Sequence, residues 1–154
     1  TVTPTAGTWF QGQDFGNAVP SIYTRVLEGI DGTIRITGGT FSFTSADFAA
    51  NNGAGSYSFL GELSGSTVFS VTGSLTGHSG PFVFDTIGSG NAAAVIDTLT
   101  IRVMPVNSPT SINVDNIVLS TSAVPEPATG LLLLAGVVAT WRVTRRERDD
   151  QPDI

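Results

Sequence analysis

Few side chains in this sequence could do covalent chemistry. Its one imidazole, His78, lies in the Gly-rich turn "TGHSGP". A Ser-His-Asp site needs a nucleophile beside that ring, and no G-x-S-x-G elbow occurs to present one. His78 therefore reads as a solvated turn residue. Cys is absent, which removes thiolate nucleophiles, thiolate metal sites and disulfides together. Glu62, Asp85 and Asp97 are carboxylates of the kind that cleave glycosides in pairs. No spacing singles two of them out, so they read as solvated strand ends. "GSGNAA", with Gly88, Gly90 and Ala93, fits a G-x-G-x-x-A phosphate loop in form. Such a loop must open a helix, whereas the "AVIDTLTIRV" that follows alternates like a strand. The expectation is a protein without a catalytic site, not an enzyme.

Binding chemistry is better represented. Trp9, Tyr23 and Tyr57, with Phe10 beside them, are the aromatic residues that could stack on pyranose faces, because the other Phe residues mostly alternate inward. Packing in the core or along a sheet edge is the competing use of each ring. Asp14 near the start and Asp115 with Asn116 near the end supply oxygens of the type calcium takes. Asp115 has a second possible use, bonding to backbone N–H groups at an irregular point of its strand.

The elements that must position these residues are short strands. "TIRITG", "GTFSFTSADF", "SYSFLGEL", "TVFSVTGSL", "PFVFDTI", "DTLTIRV" and "INVDNIVL" follow at roughly ten-residue spacing. In "DTLTIRV", Leu99, Ile101 and Val103 alternate with Thr98, Thr100 and Arg102, the period of a sheet with one face in a core and one in water. "INVDNIVL" breaks its own alternation between Val114 and Ile117. Either a bulge at Asp115–Asn116 restores it, or both faces of this strand are covered. With Gly at 18 residues and charged residues at 13%, the composition suits an all-β domain over residues 1–122, a β-sandwich or jelly roll. The strand order resembles the galactose-binding-like jelly rolls. That resemblance implies a structural calcium joining the terminal strands, with Asp14 and Asp115 as its ligands.

All seven basic residues are Arg. Before Val124, three arginines (Arg25, Arg35, Arg102) face eight carboxylates, a net charge of −5. Such a body repels polyphosphates, so nucleic acid is not an expected partner.

The remaining segment is "VPEPATGLLLLAGVVATWRVTRRERDD". Residues 128–141 carry no charge and would form a helix about 21 Å long, short against a bilayer core of about 30 Å. Consecutive Leu131, Leu132, Leu133 and Leu134 leave such a helix no polar face. Arg142, Arg145, Arg146 and Arg148 follow and should stay cytoplasmic. Two prolines around Glu126 hold the backbone extended, the form a processing enzyme grips.

The order Val124-Pro125-Glu126-Pro127, apolar run, arginine cluster resembles the PEP-CTERM sorting signal of Gram-negative bacteria. The resemblance implies residues 123–148 as the signal, a short transmembrane helix at about 128–143, and recognition by a membrane exosortase. It also implies an N-terminal export signal, expected before Thr1, and an inner-membrane-anchored precursor that ends at the cell surface or outside. Association with exopolysaccharide and biofilm is part of the same implication. The acidic end, 149–154, is expected to be disordered and runs further past the arginines than is usual in that family. The expected function is that of an exported surface or matrix protein; a carbohydrate-binding module of the same architecture is the alternative.

Overall fold

The computed structural model describes residues 1–14, 16–25, 31–79, 82–107 and 109–121. These lie in the first of two units into which the chain divides, Thr1–Ser122 and Ala123–Ile154. The hydrophobic helix expected at about 128–143, the sorting motif at 124–127, the arginines at 142–148 and the acidic end fall outside the described residues.

All regular structure among the described residues is strand: β1 (Val2–Ala6), β2 (Trp9–Gly12), β3 (Ser21–Arg25), β4 (Gly32–Asn51), β5 (Gly55–Leu63), β6 (Ser66–Leu75), β7 (Gly77–His78), β8 (Asp85–Gly88), β9 (Ile96–Pro105) and β10 (Ser111–Thr121). No helix among them is long and apolar enough to cross a membrane. The all-β expectation is met, with differences in detail. "TIRITG" and "GTFSFTSADF" are one strand of 20 residues, not two. "PFVFDTI" keeps only its end as β8. β1, β2, β3 and β7 had no counterpart in the periodicity.

β4 builds two layers. Its first half pairs with β1 on one side and β9 on the other, and β5 and β6 continue from β9. Its second half pairs with β10 on one side and with β7 and β8 on the other, and β3 and β2 continue from β10. The layers face each other across aromatic rings. Phe43 of the second layer meets Phe59 of the first edge-on at 4.8 Å, and Phe48 meets Phe59 and Tyr57 at 5.8 Å each. Such offset and edge-on contacts add to the area these rings bury. Ile34, Ile36, Ile96, Leu99, Ile101, Val103, Ile112 and Val114 complete the core.

A strand shared by two layers must turn while keeping its apolar side inward. In β4 the residues that enter the core run Ile34, Ile36, then Phe41, Phe43, then Ala46, Phe48, Ala50. The alternation shifts phase twice, because a one-residue slip would send the next apolar set to the outer face. The first shift falls at Gly38–Gly39, whose φ angles of 136° and 60° belong to glycine. β10 makes the matching adjustment. Its register against β4 jumps between Asp115 and Val118, Asn116 has φ 42°, and Ile117 then packs on the core. Of the two readings of "INVDNIVL", the bulge is the one observed.

Within the first layer, rings lie over glycines on the neighbouring strand. Gly61 opposes Phe69 and Gly73 opposes Tyr57. A Cβ at Gly61 would stand 2.3 Å from the Phe69 ring. Phe69 is 6% exposed and has nowhere to go, so Gly61→Val should destabilise the domain by about 1–3 kcal/mol through overpacking. A thermal melt followed by circular dichroism checks this; an unchanged midpoint would show that the ring does not rest on Gly61.

Candidate functional site

The outward face of the second layer collects several of the polar and aromatic groups singled out above. Ile22 packs on the core and Thr24 is buried, as are Ile112 and Val114. By alternation Ser21, Tyr23 and Arg25 of β3, with Ser111 and Asn113 of β10, point to the other side. Register carries this across the layer. Phe10 pairs with Tyr23, Tyr23 with Asn113, and Asn113 with Ala49. One row over, Arg25 pairs with Ser111, Ser111 with Asn51, and Asn51 with His78.

At the edge of this face Phe10 and Tyr23 stack, with centroids 5.4 Å apart and planes 26° from parallel. The Arg25 guanidinium lies 5.2 Å from the centroid of the Phe10 ring, a cation–π contact that holds both side chains in place. Phe10 is 38% exposed, so the pair offers an accessible aromatic surface. Beside it runs a buried amide ladder. The Asn51 Nδ2 group donates to Ser111 Oγ at 2.9 Å and Asn113 Oδ1 at 3.0 Å, and Asn113 Nδ2 donates to Ser21 Oγ at 2.9 Å. Every buried side-chain polar atom among the described residues has a partner, which makes the floor rigid.

The other two expected aromatics are placed differently. Trp9 is partly buried against the core and its Nε1 donates to the Ala6 carbonyl. Tyr57 packs between Phe48, Phe59 and Gly73. The sequence grouped Trp9, Phe10, Tyr23 and Tyr57; the fold keeps Phe10 and Tyr23 together and adds Arg25. Arg25 was missed because cross-strand neighbours depend on register. The alternation of Tyr23 with Thr24 and Arg25 was the one available signal.

Asp115 and the segment before β3 do meet. Asp115 Oδ2 accepts from the Asn17 backbone N–H at 2.7 Å and Oδ1 accepts from the Asn116 N–H at 2.8 Å. Asp47, which the sequence did not single out, sits next to it across the strands and is 4% exposed. It accepts from Asn17 Nδ2 and Asn116 Nδ2 at 2.9 Å each and from Thr86 Oγ1 at 2.5 Å. Asn17 and Asn116 thus bridge the two carboxylates, and neither carboxylate has an ion pair among the described residues. No group of three or more His, Asp or Glu side chains gathers there, and Asp14 lies on an exposed turn. The carboxylates considered for glycoside cleavage each have a different partner. Glu62 faces Arg35 at 3.9 Å, Asp85 faces His78 at 3.2 Å, and Asp97 accepts from the Ser64 N–H at 2.8 Å. No hydroxyl is bonded to the His78 ring among the described residues. "GSGNAA" forms a turn in which Ser89 Oγ donates to the Phe43 carbonyl, and β9 follows it.

Burial pushes the Asp47 carboxyl upward, but donation from Thr86, Asn116 and Asn17 outweighs it and holds the group below the usual range. A depressed folded-state value means stability that is complete above the ordinary Asp value of about 3.9 and lost as pH falls through the lower folded value. Asp47→Asn should cost about 1–3 kcal/mol at neutral pH. It should also flatten the acid limb of a stability–pH curve; a limb as steep as that of the parent would contradict this role.

Comparison with known proteins adds two findings. No curated protein matches the sequence. Among solved structures, the enzymatically active domain of tailspike protein 4 of bacteriophage CBA120 aligns with a TM-score of 0.52 at 16% identity, over 78% of this chain and 19% of that one. This is a likeness of fold over a small part of the larger protein. TmCBM61 in complex with β-1,4-galactotriose aligns at 0.49 and 10% identity, over 79% of this chain and 88% of that one. A family 16 carbohydrate-binding module aligns at 0.38 and 10% identity, over 75% and 84%. For the tail, residues 123–146 match the model of the PEP-CTERM protein-sorting motif. Pro125, Glu126, Pro127, the apolar run and the arginines up to Arg146 all fall inside the match, so the chain carries a PEP-CTERM sorting motif at its C-terminal end.

Proposed function

We propose that this is an exported, non-enzymatic protein of the cell surface or extracellular matrix. An exosortase processes its tail, and its β-sandwich holds extracellular polysaccharide on the ring-bearing face of the second layer. The observation that carries the binding reading is the Phe10–Tyr23 stack, fixed by Arg25 and flanked by the amide ladder. A pyranose presents a C–H face to the negative face of an aromatic ring and hydroxyls around its rim. The partly exposed Phe10 ring suits the first part and the exposed Arg25 at its rim the second, while the buried amide ladder fixes the strands beneath. Glu62, Asp85 and Asp97 are each engaged by a different partner, Arg35, His78 and the Ser64 N–H, which speaks against hydrolysis by a carboxylate pair.

In the tail, the apolar run is too short for a comfortable span. It is held by Arg142, Arg145, Arg146 and Arg148 on the cytoplasmic side, which places residues 1–122 across the membrane. The run then serves as a temporary anchor, with the extended Pro125-Glu126-Pro127 stretch open to cleavage outside the bilayer.

Calcium at Asp115 is a second proposal, with Asp47 beside it and Asp14 as the other ligand that the sequence suggests. The two carboxylates have no ion pair among the described residues, and with the amide oxygens of Asn17 and Asn116 turned toward them they would make an oxygen donor set of the kind calcium takes.

Three measurements test these readings. On a glycan array, Tyr23→Ala and Phe10→Ala should each weaken binding about tenfold, the equivalent of roughly 1.4 kcal/mol, with unchanged melting. No binding of any polysaccharide by the parent would leave a purely structural surface protein. Replacing Pro125, Glu126 and Pro127 by Ala in a host with an exosortase should leave the tail uncut; normal maturation refutes sorting. A chelator should lower the melting temperature of the parent but not of Asp115→Ala, and an unchanged parent overturns the calcium proposal.

A further inference from the structure

A different surface carries an inference independent of the sugar reading. β6 is the last strand of the first layer, with β5 as its one pairing neighbour among the described residues. It is ten residues long. The other open edges are short: β1 has five residues, β2 and β8 four each, and β7 two. A long open edge offers a row of unpaired N–H and C=O groups, which proteins usually block with charge, proline or a bulge.

β6 has neither charge nor proline, and its one bulge is confined to its first residues. "STVFSVTGSL" contains no Pro, and from Leu63 to Phe84 the chain has no Asp, Glu, Lys or Arg. The register shift against β5 skips Val68, between Thr67 opposite Glu62 and Phe69 opposite Gly61, and the pairing from Phe69 to Leu75 is regular. The side chains on its outer face, Val68, Ser70, Thr72 and Ser74, are exposed and are β-branched or small, types that fit a flat pairing surface. The opposite edge of the same layer is blocked: β1 contains Pro4 and shifts register between Pro4 and Ala6.

We propose that the β6 edge pairs antiparallel with β6 of a second copy of this chain across a two-fold axis. The charge distribution selects this occupant. The body is net acidic, so two copies repel wherever their carboxylates meet, and β6 lies in the longest uncharged stretch of the described strands. The blocked β1 edge stops further addition, so the product is a closed pair and not a filament.

The absence of Cys allows a direct test on the full chain in its membrane. Single Cys variants at Val68, Ser70, Thr72 and Ser74, and a mixture of Ser70→Cys with Thr72→Cys copies, are oxidised with copper phenanthroline. A disulfide needs Cβ atoms roughly 3.5–4.5 Å apart, so the positions nearest the axis should give a dominant dimer band, while Thr3→Cys on β1 gives none. Adding Thr72→Lys to Ser70→Cys or Ser74→Cys, or Ser70→Lys to Thr72→Cys, should abolish the band, because two lysines then meet near the axis, with the melting temperature unchanged. No dimer at any β6 position, or the same yield from Thr3→Cys, overturns the proposal.

Discussion

The double membership of β4 governs the rest of the fold. One strand of 20 residues supplies the centre of both layers, so its turn must keep the alternating apolar set pointing inward. The Gly38–Gly39 corner and the later phase shift do this within β4, and the Asp115–Asn116 bulge does it in the partner strand. Any one of these corrections alone would leave Phe41 and Phe43, or Ile117, facing water. The core rings of the two layers meet because the adjustments are made together.

The same corrections explain the outer face. A bulge leaves backbone N–H groups without ladder partners, and unpaired buried donors are costly. Asp115 takes up the N–H of Asn116 and reaches Asn17, while Asp47 receives both asparagine side chains. The segment before β3 is thereby tied to the middle of the second layer. That tie sets the start of β3, and hence the register that brings Tyr23 opposite Phe10 and Asn113. The ring pair depends on the bulge without touching it.

What the sequence disclosed follows from this division. Period-two alternation exposed the strands with one wet face, such as β9 and the start of β4, and the break at Asp115–Asn116 pointed to the bulge. The junction inside β4 was hidden because "TGG" reads as a turn between two strands, and only tertiary pairing shows the chain continuing through it. β1, β2 and β3 were missed because a proline, a lone aromatic pair and a five-residue run carry little periodic signal; their partners supply their order. Site residues followed the same rule. Tyr23 could be chosen by type, whereas Arg25 and Asp47 acquire their places only through register, Arg25 beside Phe10 on another strand and Asp47 beside Asp115 near the far end of the domain. The tail motif was legible for the opposite reason: its meaning lies in a linear order of proline, apolar run and arginine, and needs no folding to be read.

The two proposed surfaces are compatible because they occupy different parts of the sandwich. β6 borders the first layer, whereas Phe10, Tyr23 and Arg25 lie on the outward face of the second, so a pair joined through β6 leaves both ring faces uncovered. Two shallow aromatic sites, each weak alone, would then act on one polymer chain, and linkage raises the effective concentration of the second site without any new contact. Repeating polysaccharides present many equivalent sites, so avidity grows with chain length while a short oligosaccharide sees only one site. An uncharged edge on an acidic β-domain would then be a sufficient physical route from a weak proposed sugar site to a matrix cross-link.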